Sequence, residues 1–353
     1  MRNIKTGIAF AVICLIAAPL LAQAASKLTE PVEKTSNAPE VATASEIPTM
    51  AQFFEAIYAG YGSQNTSEDG GSESEYKVFL SAGGEVVTMP VTDYLRGATA
   101  AEMPLEYPDE ALKAQIIAAH TYAVSYKIRE RSSPTSSLAG ADISDDPAVG
   151  QSYISDAGIK KLYPDDWEER IAHLDELIEE VGDLIMVYEG EPIVATYHAI
   201  SCGMTESAQN IWGAYSPYLV GVDSPEDEQS PDFLSKVILT RGEVEKAFKE
   251  AGCDLPSDPK KWFFELLRTP AGYVSAAKIG GRSLPGAQLR EMFGLRSACF
   301  EVAYKNSSFT FTVKGWGHGV GMSQYGAGAL AREGKTYSGI LKTYYKGVSF
   351  CEL

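Results

Sequence analysis

Apolar and polar residues alternate through "YKVFL" and "EVVTMPV" on either side of Ala82-Gly83-Gly84, which predicts a β-hairpin opening the folded chain near Tyr76. The period then changes. Leu112, Ile116, His120 and Val124 recur every four residues after Asp109, predicting a helix that Asp109 caps, running to about residue 131 with that face inward. The segment 132–150, "SSPTSSLAGADISDDPAVG", has no apolar period and reads as a long surface loop. "DDWEERIAHLDELIEEVG" is amphipathic, with Trp167, Ile171, Leu174, Ile178 and Val181 on its core side. "LIMVYEGEPIVATYHA" reads as two strands about a turn at Gly190. Further strands are expected at 235–240, 273–279 and 299–313, with helices at 241–251 and 286–293 and two more after Gly321. Strands and helices mix without a regular βαβ rhythm, so the fold class is α+β, with mixed sheets and surrounding helices forming one large domain over 76–353.

The N-terminal pattern differs. Arg2 and Lys5 precede an apolar run that ends in Ala22-Gln23-Ala24, so residues 1–24 read as an export signal peptide or an uncleaved membrane anchor. Residues 25–75 are mostly polar and charged, with one short apolar patch, "MAQFFEAIYAGYG", and read as an extracytoplasmic disordered linker. Cys14 lies inside the apolar run. Cys202, Cys253, Cys299 and Cys351 are widely spaced, and export makes one or two disulfides possible without fixing their pairing.

With 30 basic against 47 acidic residues, net −17, the chain repels nucleic acid over most of its surface. No nucleic-acid partner is expected. A neutral polymer such as a glycan does not feel this field.

The run "GWGHGVGMSQYGAGAL" is not a phosphate loop: its glycines at 315, 317, 319 and 321 alternate, and no G-x-x-x-x-G-K-[ST] follows. Such glycines admit close backbone approach and present Trp316, His318, Ser323 and Gln324 as a binding wall, against which stands a structural turn packed on the last helix. His198 and Cys202 are four apart, but on alternating, strand-like sequence that spacing does not bring them together, and zinc or thiol chemistry gains no support. His173, flanked by Glu169 and Glu176, reads as solvated. Glu102 is the suggestive acid. Its loop of Ala98, Thr99, Ala100, Ala101, Met103 and Pro104 would desolvate the carboxyl and raise its pKa, as a general acid requires, unless it is a helix-terminal carboxylate in water.

Four separated blocks occur in order: "YLRGATAAEMPLEYPDEALKAQIIAAHTYA", "GQSY", "YHAISCGMTESAQNIWGAYSPYLVGVDSPED" and "GWGHGVGMSQYGAGALAREGKTYSGILKTYY". Together they resemble the stage II sporulation protein D (SpoIID/LytB) family of peptidoglycan glycan-cleaving enzymes, over about residues 76–351. The resemblance implies a lytic transglycosylase with Glu102 as its catalytic residue, a glycan groove, and cleavage of the MurNAc–GlcNAc β-1,4 bond to 1,6-anhydromuramic ends during engulfment in sporulation. It implies peptide-stripped glycan strands as substrate, a cell-wall amidase as partner, and a place outside the membrane, anchored or secreted. Polar positions Gln151, Tyr153, Ser201, Thr205, His318, Ser323 and Gln324 match family positions that would line the groove, and His120, on the apolar stripe of its helix, would meet the loop that carries Glu102 and join them. Tyr122, Trp212, Trp316 and Tyr325 would stack on sugar rings.

Two positions depart from the family pattern: His120 stands where Arg is usual, and Thr343 where His is usual. A titratable His120 would make activity more dependent on pH. Some relatives hold zinc through Cys and His of the loop after the first helix; segment 132–150 has neither, so no metal or other cofactor is expected. The competing readings are a non-catalytic glycan-binding protein that stimulates a partner amidase or autolysin, and a hydrolase using a second carboxylate, Asp227 or Asp223.

Overall fold

A computed structural model describes residues 74–353. The expected signal or anchor at 1–24, the linker up to residue 73 and Cys14 lie outside the described residues. Among the described residues no helix is long and apolar enough to cross a membrane. The fold is α+β, with several small sheets and nine helices among the described residues. The chain groups into two compact units, one ending at Val194 and regaining Ser349–Leu353, the other Ala195–Val348.

The first unit opens with the expected hairpin, β1 (Glu75–Leu80) and β2 (Glu85–Pro90), antiparallel with Tyr76 opposite Met89. Tyr76, Val78 and Met89 are its buried side chains, as alternation dictates. The chain passes directly into α1 (Val91–Glu102), with Pro90 in the N-cap position and Asp93 in the first turn, favourable at the positive end of the helix. This helix replaces the loop expected around Glu102. It ends where Met103 turns extended before Pro104, as a residue preceding proline prefers.

Next comes α2 (Asp109–Ser132), as long as expected, but Pro108 occupies the N-cap and Asp109 is the first helical residue, with no side-chain cap. Leu112, Ile116 and His120 are buried and Val124 half-buried, yet Ala111, Ala114, Gln115, Ile117, Ala118, Ala119 and Thr121 are buried too. The helix is therefore central to its unit, with no solvent stripe along its middle. Segment 132–150 is not a free surface loop: it contains β3 (Ile143–Ser144), both residues buried, parallel to β1 through Val78 and Ile143. The unit continues with α3 (Asp156–Leu162), α4 (Trp167–Val181), β4 (Leu184–Tyr188) and β5 (Glu191–Pro192). Leu174, Ile178 and Val181 of α4 are buried, whereas Trp167 and Ile171 are only half-buried, Trp167 lying under the Lys160 ammonium at 4.7 Å. Glu189 and Gly190 both have positive φ, the geometry a two-residue hairpin needs.

The second unit holds β6 (Tyr197–His198), α5 (Ala208–Trp212), β7 (Leu234–Thr240) and α6 (Arg241–Glu250), the last closed by a Thr240–Glu243 capping box. Then come β8 (Glu265–Arg268), β9 (Val274–Ile279), β10 (Arg282–Pro285) and α7 (Gly286–Met292). The single strand expected over 299–313 is instead two, β11 (Phe300–Lys305) and β12 (Ser308–Lys314), reversed at Asn306 and Ser307, both left-handed. β12 pairs with β11 and β7, and an aromatic core of Phe248, Trp262, Phe293, Phe309 and Phe311 lies beneath. Last are β13 (Met322–Ser323), α8 (Gln324–Arg332) and α9 (Tyr337–Tyr344). The final strand, β14 (Ser349–Glu352), returns to the first unit beside β4.

Candidate functional site

In the first unit, α1 carries Glu102 on its last residue, where the unpaired carbonyl end of the helix already disfavours negative charge. Burial raises its carboxyl above the usual carboxylate range, and hydrogen bonds from the hydroxyl and the backbone of Ser152 offset this only in part. The Ser152 N–H donates to Glu102 Oε1 at 3.3 Å. A carboxyl so placed holds its proton higher on the pH scale than one in water, yet its hydrogen-bonded anion can take a proton back.

Ser152 belongs to "GQSY", so the fold brings the first two blocks together. Gly97 makes this possible. A side chain there would collide with the Tyr153 ring and the Ile154 carbonyl, and the Ile154 N–H donates to Gly97 O at 3.2 Å. Tyr94, one turn earlier on α1, donates its hydroxyl to Gln151 Oε1 at 2.5 Å, while its ring lies parallel to Tyr153 at 6.2 Å. Gln151 is thus a buried brace, and Tyr153, half-buried, keeps part of its surface open. Sequence reading missed Ser152, Tyr94 and Gly97; the only signal was that Ser152 sits between two residues already singled out.

His120 and Tyr122 project from α2 into the core of this unit. Tyr122 is 9% exposed and hydrogen-bonds Tyr126 hydroxyl to hydroxyl at 3.0 Å. His120 is buried, edge-on to Tyr76, with a ring hydrogen bond to the Gly182 backbone and no partner at Nδ1. Burial pushes its pKa down to about 4. The expected pH switch near neutrality is therefore corrected: His120 stays uncharged there. His173, on α4, is half-exposed and bonds the Asp109 carboxylate at 2.9 Å.

In the second unit, the third and fourth blocks run side by side. β6 and β13 are parallel, with Ser323 opposite His198; Ile200 bridges Trp316, and Glu206 bridges Val320. Gly317 has φ 112° and passes so close to His198 that a side chain there would lie 2.7 Å from its Cβ. The glycine run is this backbone crossing. It presents His318 beside the Trp212 ring at 5.1 Å, where Val320 N–H donates to His318 Nδ1 at 3.1 Å. His198, buried, meets Val320 O through Nδ1 at 3.2 Å, and burial lowers its pKa to about 4. Burial also keeps His318 well below its ordinary value. Cys202 turns instead toward the Ala271 carbonyl, so His198 and Cys202 do not converge.

Several expected sugar-lining residues are instead the frame of this crossing. Asp227 is fully buried: its Oδ2 accepts from Ser201 N–H at 2.9 Å and its Oδ1 from the Ser323 hydroxyl at 2.7 Å. Ser323 in turn caps α8 by accepting from Gly326 N–H, and Thr205 Oγ1 accepts from Val222 N–H at 3.0 Å. Ser201, Thr205, Ser323 and Gln324 are at most 3% exposed, whereas Trp212, Trp316, His318 and Tyr325 are half-buried. Trp316 carries the Arg296 guanidinium over its ring at 3.9 Å, and Arg296 is tied to Asp232. The hydrolase reading loses Asp227, whose carboxylate is taken up by Ser201, Ser323 and Ser224 and has no solvent face; Asp223 is exposed. Thr343 donates its hydroxyl to Gly339 O along α9 at 2.9 Å.

The family model for the stage II sporulation protein (SpoIID) matches residues 81–188. Stage II sporulation protein D of Bacillus amyloliquefaciens is 35% identical over 277 residues, and that of Bacillus subtilis (strain 168) 36% over 278, each alignment covering 78% of both chains. The amidase enhancer of Bacillus subtilis (strain 168) is 27% identical over 308 residues, covering 72% of this chain and 40% of the relative.

Proposed function

The chain belongs to the stage II sporulation protein D family, and from that premise we propose that it is a peptidoglycan lytic transglycosylase acting outside the membrane. The observation that supports this most is the setting of Glu102: a carboxyl desolvated at a helix end, braced by Ser152, with its pKa raised. Ordinary glycosidases need two carboxyl groups, one to protonate the leaving oxygen and one to attack or to activate water. In a lytic cleavage the C6 hydroxyl of the muramic residue is the nucleophile, so one carboxyl serves twice. Protonated Glu102 gives its proton to the glycosidic oxygen as that bond breaks. The resulting carboxylate then takes the proton of the C6 hydroxyl as its oxygen closes on C1, leaving a 1,6-anhydro end and a regenerated acid. Ser152 steadies the anionic phase of this cycle.

The substrate is a glycan strand stripped of stem peptides, and the partner is the amidase that strips them. Half-buried Tyr153, the residue after Ser152, offers aromatic surface for a pyranose ring beside Glu102. The test is mass spectrometry of peptide-free strands after incubation with the protein: lytic products are lighter by one water than hydrolytic ones. Reducing ends instead would make it a hydrolase.

A second reading is a glycan-binding protein that stimulates an amidase without cutting, favoured by the 27% identity to a protein named amidase enhancer. It predicts strand binding and a faster partner amidase with no new chain ends.

A further inference from the structure

Cys202 follows β6 and Cys299 immediately precedes β11, about 100 residues later, yet both sulfurs lie over one turn. Cys202 Sγ is 3.1 Å from the Ala271 carbonyl and Cys299 Sγ 3.5 Å from that of Gly272, and the two thiols hydrogen-bond each other. Cys299 is buried with Tyr273 and Ala298, and Cys202 closes the cluster from its more open side. The Tyr273 hydroxyl accepts the Cys202 N–H at 3.3 Å and fills the space a side chain on Gly319 would need. Both thiols are free, and the glycan chemistry uses neither. The other described cysteines are placed elsewhere: Cys253 in the aromatic core, Cys351 exposed on β14.

We infer that Cys202 and Cys299 form a dithiol that closes to an intramolecular disulfide by exchange with a low-molecular-weight disulfide, stapling the third-block turn to the start of β11. The two thiols hydrogen-bond each other over the adjacent carbonyls of Ala271 and Gly272, the proximity that a disulfide needs. Cys202, the more accessible, reacts first. Its thiol is favoured in the ionised form because the Cys299 S–H donates to it. The Cys202 thiolate attacks one sulfur of the small disulfide, forming a mixed disulfide and releasing one thiol. Cys299 then gives up its proton and attacks Cys202 Sγ, releasing the second thiol. Two protein thiols are oxidised, one small disulfide is reduced, and both protons leave on the released thiols.

The staple is worth having because it fixes the turn that carries Ser201, whose N–H holds Asp227. A cross-link closing so long a loop constrains the unfolded chain strongly.

The test is incubation of the full chain with oxidised glutathione, followed by alkylation, digestion and mass spectrometry. The expected product is a peptide pair joined through Cys202 and Cys299, lighter by two hydrogens than the reduced pair, with melting raised by about 5–10 °C. In Cys299→Ser, glutathione stays on Cys202 and the rise is lost. The inference is overturned if glutathione persists on Cys202 in the unmutated chain. It is equally overturned if Cys202 links to Cys14, Cys253 or Cys351, or if both thiols still alkylate after exchange. The mass measurement on the unmutated chain decides without any variant folding, and it is independent of glycan cleavage.

Discussion

The N–H of Ser152 donates to Oε1 of Glu102 across 3.3 Å, joining residues that stand 50 positions apart in the chain. This contact turns "GQSY" from a conspicuous string into part of the acid's own environment. It also sets a balance: burial lifts the Glu102 pKa, and the Ser152 hydrogen bonds pull it partly back.

Removing the Ser152 hydroxyl should tip that balance. A hydrogen bond to the carboxylate favours the ionised form, so Ser152→Ala raises the Glu102 pKa further. Cleavage needs the protonated acid and is lost as pH rises through that pKa. The alkaline limb of the rate profile should therefore move to higher pH in Ser152→Ala, while a structural role alone would lower the rate without moving it.

Gly97→Ala places a methyl group against the Tyr153 ring and the Ile154 carbonyl. Overpacking of this kind costs about 1–3 kcal/mol, and the strain falls on the segment that holds Ser152. We expect a modest loss of melting temperature, with cleavage reduced at least about tenfold because the brace is displaced from Glu102. Steady-state rates and a thermal melt, taken together, check this.

Two buried histidines, His120 and His198, and the half-buried His318 make the fold acid-sensitive. His120 and His198 have pKa values lowered by burial to about 4, and His318 lies well below its ordinary value. Below pH 6.5 the unfolded chain binds protons that the folded chain refuses, so stability falls as pH drops from 6.5 toward 4. Each of His120 and His198 accounts for about 3 kcal/mol across that window. Urea midpoints measured from pH 7 to pH 4 should fall steeply, and less steeply in His198→Gln.

Asp227→Asn keeps the shape of the side chain but turns an amide nitrogen toward Ser201 N–H or the Ser323 hydroxyl. One buried donor then loses its acceptor, at a cost of about 1–3 kcal/mol. Denaturant unfolding should show this loss, while the folded variant still yields anhydro ends. A switch to no cleavage at full stability would return Asp227 to the chemistry.

Periodicity carried much of the fold. The hairpin of Tyr76 and Val78, the long helix through Ile116 and the amphipathic helix through Leu174 and Ile178 all follow from spacing. α1 did not, because Thr92, Gly97 and Thr99 are weak helix formers and "TMPV" leads in as a strand; its Tyr94, Leu95 and Ala98 are held by burial in the unit core. The turn at Asn306 and Ser307 carries no glycine to betray its left-handed backbone. At the candidate site, the raised pKa of Glu102 was legible from its apolar neighbours. Whether a serine lines a sugar or braces a backbone was not, since Ser201 and Ser323 have the composition of a binding wall and the burial of a core. Residue type reports hydrogen-bonding capacity, and only the fold says who uses it.

The most direct measurement is product analysis of peptide-free glycan strands treated in parallel with the unmutated protein and with Glu102→Gln. The amide keeps the shape of the side chain but cannot exchange the proton. We predict 1,6-anhydromuramic ends from the former, and from the latter retained strand binding with cleavage reduced by about 10²–10⁴-fold. Unchanged cleavage by Glu102→Gln, or strand binding without new ends by the unmutated protein, would contradict the account.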